Sequence, residues 1–308
     1  MQQGYPVETI RETAAGIRRR VLEHTLAHNG GYMSQACSAA EILACLYQGV
    51  MALGPLEGPI APLAFPGVPS SKNPGRAQGA VFNGPRGPRF DRFVLSPTHY
   101  SLVLYAALIQ TGRMHEAGLA DFNRDGSSVE MIGAEHSPGM EVMTGSLGQG
   151  LSQAAGMALG RKLKGEPGGI WVFMSDGEFQ IGMTWEAFQF MAHHRLGSVG
   201  IYVDVNRQQC DGTVESVMGV DPLSRKLEAF GAEVVAVDGH DVEALLRAAK
   251  TPHPDRPLVV LGHTDPCQGL PLLCRNSPKL HYLRFRSPAE RAEYAAALEA
   301  MVKHANPL

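Results

Sequence analysis

From Gly169 to Gly212 the chain reads GIWVFMSDGEFQIGMTWEAFQFMAHHRLGSVGIYVDVNRQQCDG, and this stretch limits the fold more than any other. Two short apolar runs, Ile170–Met174 and Val199–Val205, are rich in Val, Ile, Phe and Tyr, the pattern of strands buried on both faces. Between them Trp185, Phe188 and Met191/Ala192 recur at helical spacing over about 184–196, and Gly197 stops the helix. Strand, helix, strand is the crossover that joins parallel strands, so the expected class is α/β. Asp176 and Asn206 then fall just past the two strand ends, on one carboxyl edge, where open α/β sheets bind ligands.

A carboxylate and an amide converging there are hard oxygen donors. They suit Mg²⁺, with Ca²⁺ as the alternative, better than zinc, and magnesium keeps few protein ligands beside substrate phosphates. The backbone N–H groups of Gly177 and Glu178 open the turn after the first strand and are expected to face a phosphate. Alone, Asp176 would be read as a helix cap and Asn206 as a turn former. Their pairing at matching strand ends favours ligation.

The remaining composition narrows the class. With 308 residues, 44% hydrophobic and 19% charged, the chain can bury a large core, and residues 1–308 are read as one domain. Net charge is −3 with no basic block, which argues against nucleic acid and anionic membrane as partners. No apolar run has the length of a membrane span, and the amino terminus lacks a signal-peptide core. Five cysteines, odd in number and without C-x-x-C pairs, are expected as reduced thiols in a cytoplasmic protein.

In chain order, Ile10, Ala14, Ile17, Val21 and Leu22 form the stripe of a helix over 9–28. Ser38-Ala-Ala-Glu41 reads as a capping box opening a second helix through Tyr47. From about 52 to 90, prolines and glycines crowd into an insertion expected to be a lid, a partner contact or a tolerated surface loop. Asp91–Ser96 returns to strand, with His99 at the strand–helix junction. Gly145, Gly148 and Gly150 precede or open a helix with a small-residue face, allowing close approach of backbone to a ligand. Strands are expected near 233–238 and 257–262, a helix over 242–250, and a loop–helix segment from about 264 to 308 ending in helix 288–304.

Several of these segments together resemble the amino-terminal, thiamine-diphosphate-binding domain of transketolases. The resemblance is carried by Ser-Asp-Gly-Glu at 175–178 with Asn206 thirty positions after Asp176, by DRFVLSPTHYSLVLY, by PGMEVMTGSLGQG, and by the region from Ile17 to Val50. It implies a doubly wound, mostly parallel sheet flanked by helices. It also implies thiamine diphosphate with Mg²⁺, held by Asp176, Asn206 and the main-chain carbonyl of Gln208. On the same resemblance His99 meets diphosphate and substrate, Gly145 offers its carbonyl to the aminopyrimidine, and Leu147 packs on the cofactor. Gly148, Gly177, Glu178 and Cys210 complete the implied cofactor contacts, and His281 falls near the thiazolium as a second catalytic histidine. The chain departs from the pattern at Tyr32 and Met131, where the family has substrate-touching histidines. It departs again at Ile181, where the family has a glutamate (Glu186 fits a second one), and at Asp265-Pro266-Cys267, which replaces a Gly-rich run.

The resemblance covers only the first of three transketolase domains. It therefore implies a second chain with the pyrimidine-binding domain, in an α₂β₂ assembly, and transfer of a two-carbon ketol unit from a ketose phosphate to an aldehyde. Two alternatives remain open: transfer of an acyl unit from a decarboxylated 2-oxo acid, and a non-catalytic subunit. A Rossmann dinucleotide binder is disfavoured because no G-x-G-x-x-G follows the first strand.

Overall fold

The computed structural model describes residues 5–68, 70–72 and 78–305. The helices are α1 (Val7–Ala27), α2 (Met33–Cys45), α3 (Ser101–Gln110), α4 (Gln149–Lys164), α5 (Gly182–His193), α6 (Val214–Met218), α7 (Leu223–Ala229), α8 (Val242–Ala248) and α9 (Pro288–Ala305). The strands are β1 (Arg92–Leu95), β2 (Ile170–Ser175), β3 (Val199–Val205), β4 (Gln208–Gln209), β5 (Gly212–Thr213), β6 (Glu233–Asp238) and β7 (Leu258–His263). Five of them form one sheet in the order β1-β2-β3-β7-β6. All its pairings are parallel. β4 and β5 make a small antiparallel ribbon just beyond the end of β3.

Strand periodicity sends alternate residues to two separate cores. Phe93, Leu95, Phe173, Tyr202 and Val260 pack with α1, α2, α3 and α8 on one face. Val94, Val172, Met174, Ile201, Val203 and Leu261 pack with α4, α5 and α7 on the other. The sheet is thus covered on both faces, as the continuous apolar runs required. Where helices cover both faces of a parallel sheet, the strand ends are the open edge, and the site lies there.

Two expectations, the Ser38 cap and the reduced cysteines, are corrected. α2 starts at Met33, so Ser38 is inside the helix and caps nothing; every residue of α2 is buried, and the Ser38 hydroxyl donates to Asp204 instead. The stretch from 52 to 90 is anchored by a 3₁₀ turn at Gly79–Asn83 and by bridges Ile60–Met114 and Ala64–Ser127. Its Asn83 is buried, accepting from the Tyr47 hydroxyl and donating to Gly139 and Glu141; Pro69 and residues 73–77 of this stretch lie outside the described residues. Finally, the cysteines are not all free thiols: Cys267 and Cys274 form a disulfide, while Cys37, Cys45 and Cys210 are unpaired. A 3₁₀ turn at Pro271–Asn276 folds back and brings the Cα atoms of the pair to 5.8 Å, which spacing alone did not reveal. Among the described residues no helix is long and apolar enough to cross a membrane.

Candidate functional site

Strands β2 and β3 are adjacent and in register, Ser175 opposite Asp204, so the residues that follow them emerge side by side. Asp176 is 1% exposed. Its Oδ2 accepts the N–H of Arg207 at 2.8 Å, and its Oδ1 is buried without a hydrogen-bond partner. Burial, and then the Asp204 carboxylate, push the Asp176 carboxyl up to about 7. Asn206 turns its Oδ1 to the N–H of Gln208 and its Nδ2 toward Asp204 and the hydroxyls of Tyr100 and Ser38.

Behind this pair sits Asp204, which sequence reading passed over inside the run IYVDV. It accepts hydrogen bonds from Ser38 at 2.5 Å and Tyr100 at 2.7 Å, and another from Thr264. Burial still raises its carboxyl. A charged residue in the middle of a strand otherwise buried on both faces was the available signal, since such a group must be fully hydrogen-bonded. The network joins α2, the start of α3 and the loop after β7 to the end of β3, and so fixes Asn206.

Glu178 takes part differently from expectation. It closes a capping box with Ser175 in the 3₁₀ turn Asp176–Gln180, so its N–H is engaged rather than facing a phosphate. Its side chain, fully buried, accepts from Ser96 at 2.5 Å, from the N–H of Gly148 at 2.9 Å and from the N–H of Ser175 at 3.2 Å. It thereby clamps the glycine loop before α4 against the ends of β1 and β2. Burial raises its carboxyl to about 7. Gly148 adopts φ +79°, and a Cβ there would lie 2.9 Å from the Thr184 hydroxyl. Thr144 ties the same loop to the carbonyl of Leu95 at 2.7 Å.

A cavity of about 240 Å³ opens over this floor. It is lined by His99, Gly145, Leu147, Gly177, Asn206, Gln208, Cys210 and His281, together with Gln35 and Met131. Residues proposed from five separate stretches therefore share one wall. A Cβ built on Gly177 would meet nothing within 4 Å, so this glycine borders open space. The rings of His99 and His281, 182 positions apart in sequence, stand 5.0 Å apart. Gln35 holds His281 through its main-chain carbonyl at 3.0 Å and Nδ1 at 3.3 Å. Burial, with His281 adding to it, lowers His99 to about 3, and burial lowers His281 as well. Both imidazoles are neutral near pH 7 and can accept as well as donate.

Tyr32 sits beside them, its ring 5.6 Å from His281 and 6.5 Å from His99. Burial, with Tyr282 and Cys210, raises its phenol, so it stays a protonated donor. Ile181 is half-buried, and Glu186 on α5 is exposed and does not line the cavity.

The arrangement can hold a hard divalent cation and an anion. The orphaned buried carboxylate oxygen of Asp176, at the strand end next to that of Asn206, is a hard donor of the kind magnesium takes, and an open glycine leaves room for diphosphate. The fold and site together define an α/β domain whose candidate ligand cavity lies at the carboxyl edge of a parallel sheet.

The family profile "Transketolase, thiamine diphosphate binding domain" matches residues 81–272. The chain is 34% identical over 299 residues to the transketolase family protein y4mO of Sinorhizobium fredii, covering 96% of both. It is 31% identical over 242 residues to the 6-deoxy-6-sulfo-D-fructose transketolase subunit SqwG of a Clostridium species, covering 78% of both. With human transketolase-like protein 2 the identity is 32% over 268 residues, but the chain spans only 38% of that protein. A crystal structure of Pichia stipitis transketolase shares the fold, with a TM-score of 0.68 at 21% identity, over 96% of this chain and 45% of that one. The chain belongs to the transketolase family.

Proposed function

We propose that this chain, acting as a single diphosphate-binding domain, is the cofactor-holding subunit of a two-chain transketolase. Its partner carries the pyrimidine-binding half of the site, in an α₂β₂ assembly. The reaction is transfer of a two-carbon ketol unit from a ketose donor to an aldehyde acceptor. The observation that carries this reading is the buried, unpartnered Oδ1 of Asp176 at the strand end next to that of Asn206. Alignment with y4mO over 96% of both chains and the match to a protein named as a subunit support the two-chain reading.

In this reading Asp176, Asn206 and the carbonyl of Gln208 would hold Mg²⁺, and Gly177 and His99 would contact the diphosphate. Gly145, Leu147 and Cys210 line the remainder, and Gly148, its N–H held by Glu178, shapes the loop behind them. Bound thiamine diphosphate supplies the carbon nucleophile for breaking and making the carbon–carbon bond. The protein's own part is to orient and to move protons. In this reading His99 and His281, neutral and with ring centroids 5.0 Å apart, would take a proton from a donor hydroxyl and return it to an acceptor carbonyl oxygen.

A second reading rests on Met131 in the cavity wall and Tyr32 beside it. A thioether cannot donate a hydrogen bond, so the site suits a less hydroxylated substrate than a pentose phosphate, such as a 2-oxo acid donor. Calorimetric titration of thiamine diphosphate with Mg²⁺ into the chain, alone and co-purified with the product of the adjacent reading frame, tests the proposal. Tight binding and ketol transfer are expected only with the partner. Full turnover by the single chain would refute the split site.

A further inference from the structure

Away from the cofactor cavity, Asp265, Cys267 and Cys274 bring two sulfurs and a carboxylate oxygen within 4.8 Å of one another in the loop after β7. Cys267 is buried while Asp265 and Cys274 are exposed, so the cluster has one face in the protein and one in solvent. Its backbone is already shaped around a common centre. The N–H of Cys267 donates to Asp265 Oδ1 at 2.8 Å, turning the carboxylate back over the cysteine and leaving its second oxygen free to ligate. The N–H of Asp265 is held by His240 Nε2 at 2.8 Å, and the N–H of Leu270 returns to the carbonyl of Cys267 at 2.9 Å. Gly269, at φ +74°, makes the reversal that delivers Cys274 to Cys267.

We propose that this loop is a redox-gated cation site: with Cys267 and Cys274 reduced, their thiolates and the Asp265 carboxylate bind one thiophilic divalent cation of the zinc class, and disulfide formation expels it. Two thiolates make a soft donor set, which selects zinc over magnesium, whereas the oxygen set around Asp176 selects the reverse. In a tetrahedral site with metal–sulfur bonds near 2.3 Å the sulfurs stand about 3.8 Å apart. Cα atoms 5.8 Å apart can span that edge as well as the disulfide. The solvent face leaves the fourth position to water. Cys37 and Cys45 are buried free thiols and Cys210 is an exposed one, none paired with another cysteine.

The chemistry balances with a thiol reductant. Two reductant thiols cleave the sulfur–sulfur bond, giving two cysteine thiols and the oxidised reductant, and the cation then displaces two protons from those thiols. Either tie, covalent or metallic, restrains a loop with two functional ends. It begins at Thr264, a donor to Asp204, and leads to His281 in the cavity wall. Only the reduced, metal-free loop lacks a tie.

The test uses the full chain with excess Mg²⁺ present to occupy hard-donor sites. After reduction by a phosphine, incubation with zinc and desalting, wild type is expected to retain about one zinc per chain. The oxidised wild type, Cys267→Ser and Cys274→Ser are expected to retain none, and Asp265→Asn to hold zinc more weakly. Cobalt(II) should give thiolate-to-metal absorption only with the reduced wild type and Asp265→Asn. If reduced wild type holds no more zinc than oxidised, or Cys267→Ser keeps a full equivalent, the proposal is wrong. Should circular dichroism show a serine variant unfolded, the cobalt spectrum of reduced wild type decides, and absence of the thiolate band overturns the site.

Discussion

Asp176 latches the turn after β3 through the N–H of Arg207, 2.8 Å from its Oδ2, while its Oδ1 has no protein partner. One carboxylate thus braces the edge of the sheet with one oxygen and, in the proposed role, keeps the other for a cation. Asp176→Asn keeps an acceptor for the latch and removes the charge beside Asp204. Its thermal midpoint should match or exceed that of wild type, while Mg²⁺-dependent cofactor affinity in the assembled protein falls by more than about 100-fold. Asp176→Ala should lose both. Wild-type affinity in Asp176→Asn would remove Asp176 from the metal site.

The buried carboxyls of Glu178 and Asp176 should contribute stability to the cofactor-free chain that is lost as pH rises through the acid-to-neutral range, while the buried His99 and His281 contribute in the opposite direction. Burial raises Glu178 and Asp176 to about 7 in the folded state, whereas unfolded carboxyls release their protons near pH 4. Between those limits the native state holds protons that the unfolded state has lost, so unfolding becomes easier as pH increases. The slope is at most about 1.4 kcal/mol per pH unit for each group. Urea midpoints measured from pH 5 to 7.5 would show it. Glu178→Gln removes one falling contribution, so its midpoints should rise relative to wild type as pH increases, and parallel pH profiles for the two proteins would contradict the assignment.

Two glycines should respond in opposite ways to alanine. At Gly148 the backbone is left-handed and the new Cβ would crowd Thr184 and Ile181, so Gly148→Ala should cost about 1–3 kcal/mol in chemical denaturation. Gly177 faces open space, so Gly177→Ala should fold within about 0.5 kcal/mol of wild type. Its Cβ would occupy the cavity, and cofactor affinity should drop. Equal effects of the two substitutions on stability would remove the distinction.

The buried Arg92–Glu141 pair joins β1 to the loop before α4 at 2.5 and 2.7 Å. Glu141→Gln leaves Arg92 charged and uncompensated, and about 3–5 kcal/mol of stability should be lost. A loss below about 1 kcal/mol in urea melts would mean that water replaces the carboxylate.

Substrate choice can be read from Tyr32 and Met131. Giving each an imidazole, as Tyr32→His and Met131→His, should favour polyhydroxylated ketoses over 2-oxo acids. Each regained contact is worth about 1–3 kcal/mol, roughly tenfold or more in relative kcat/KM. If wild type already prefers pentose phosphates by a wide margin, these two positions do not set specificity.

The β2–α5–β3 unit was legible because strand and helix periodicity are local, and register then places Asp176 beside Asn206. Gly145, Leu147 and His99 were legible only through resemblance, since nothing local says which cavity a glycine loop borders. Asp204, Ser38 and Gln35 were missed for a related reason. Their partners lie 60 to 246 positions away, and a serine followed by a glutamate three residues later looks like a cap whether or not the helix starts there. The disulfide was hidden likewise by a turn whose reversal depends on Gly269.

The helix α2 has no solvent face: all thirteen residues from Met33 to Cys45 are buried, against α1, α3, α8 and β3. Such a segment cannot lose its neighbours one at a time, because each departure would expose apolar surface while the rest stayed ordered. Its amides should therefore exchange with solvent only when the whole chain unfolds, and their exchange rates should report the global free energy. The two groups that α2 sends to the site, the Ser38 hydroxyl and the Gln35 amide, are consequently as permanent as the fold itself. Loops around them can move or reorganise on meeting a partner, but those two contacts form a fixed point from which the pocket is measured.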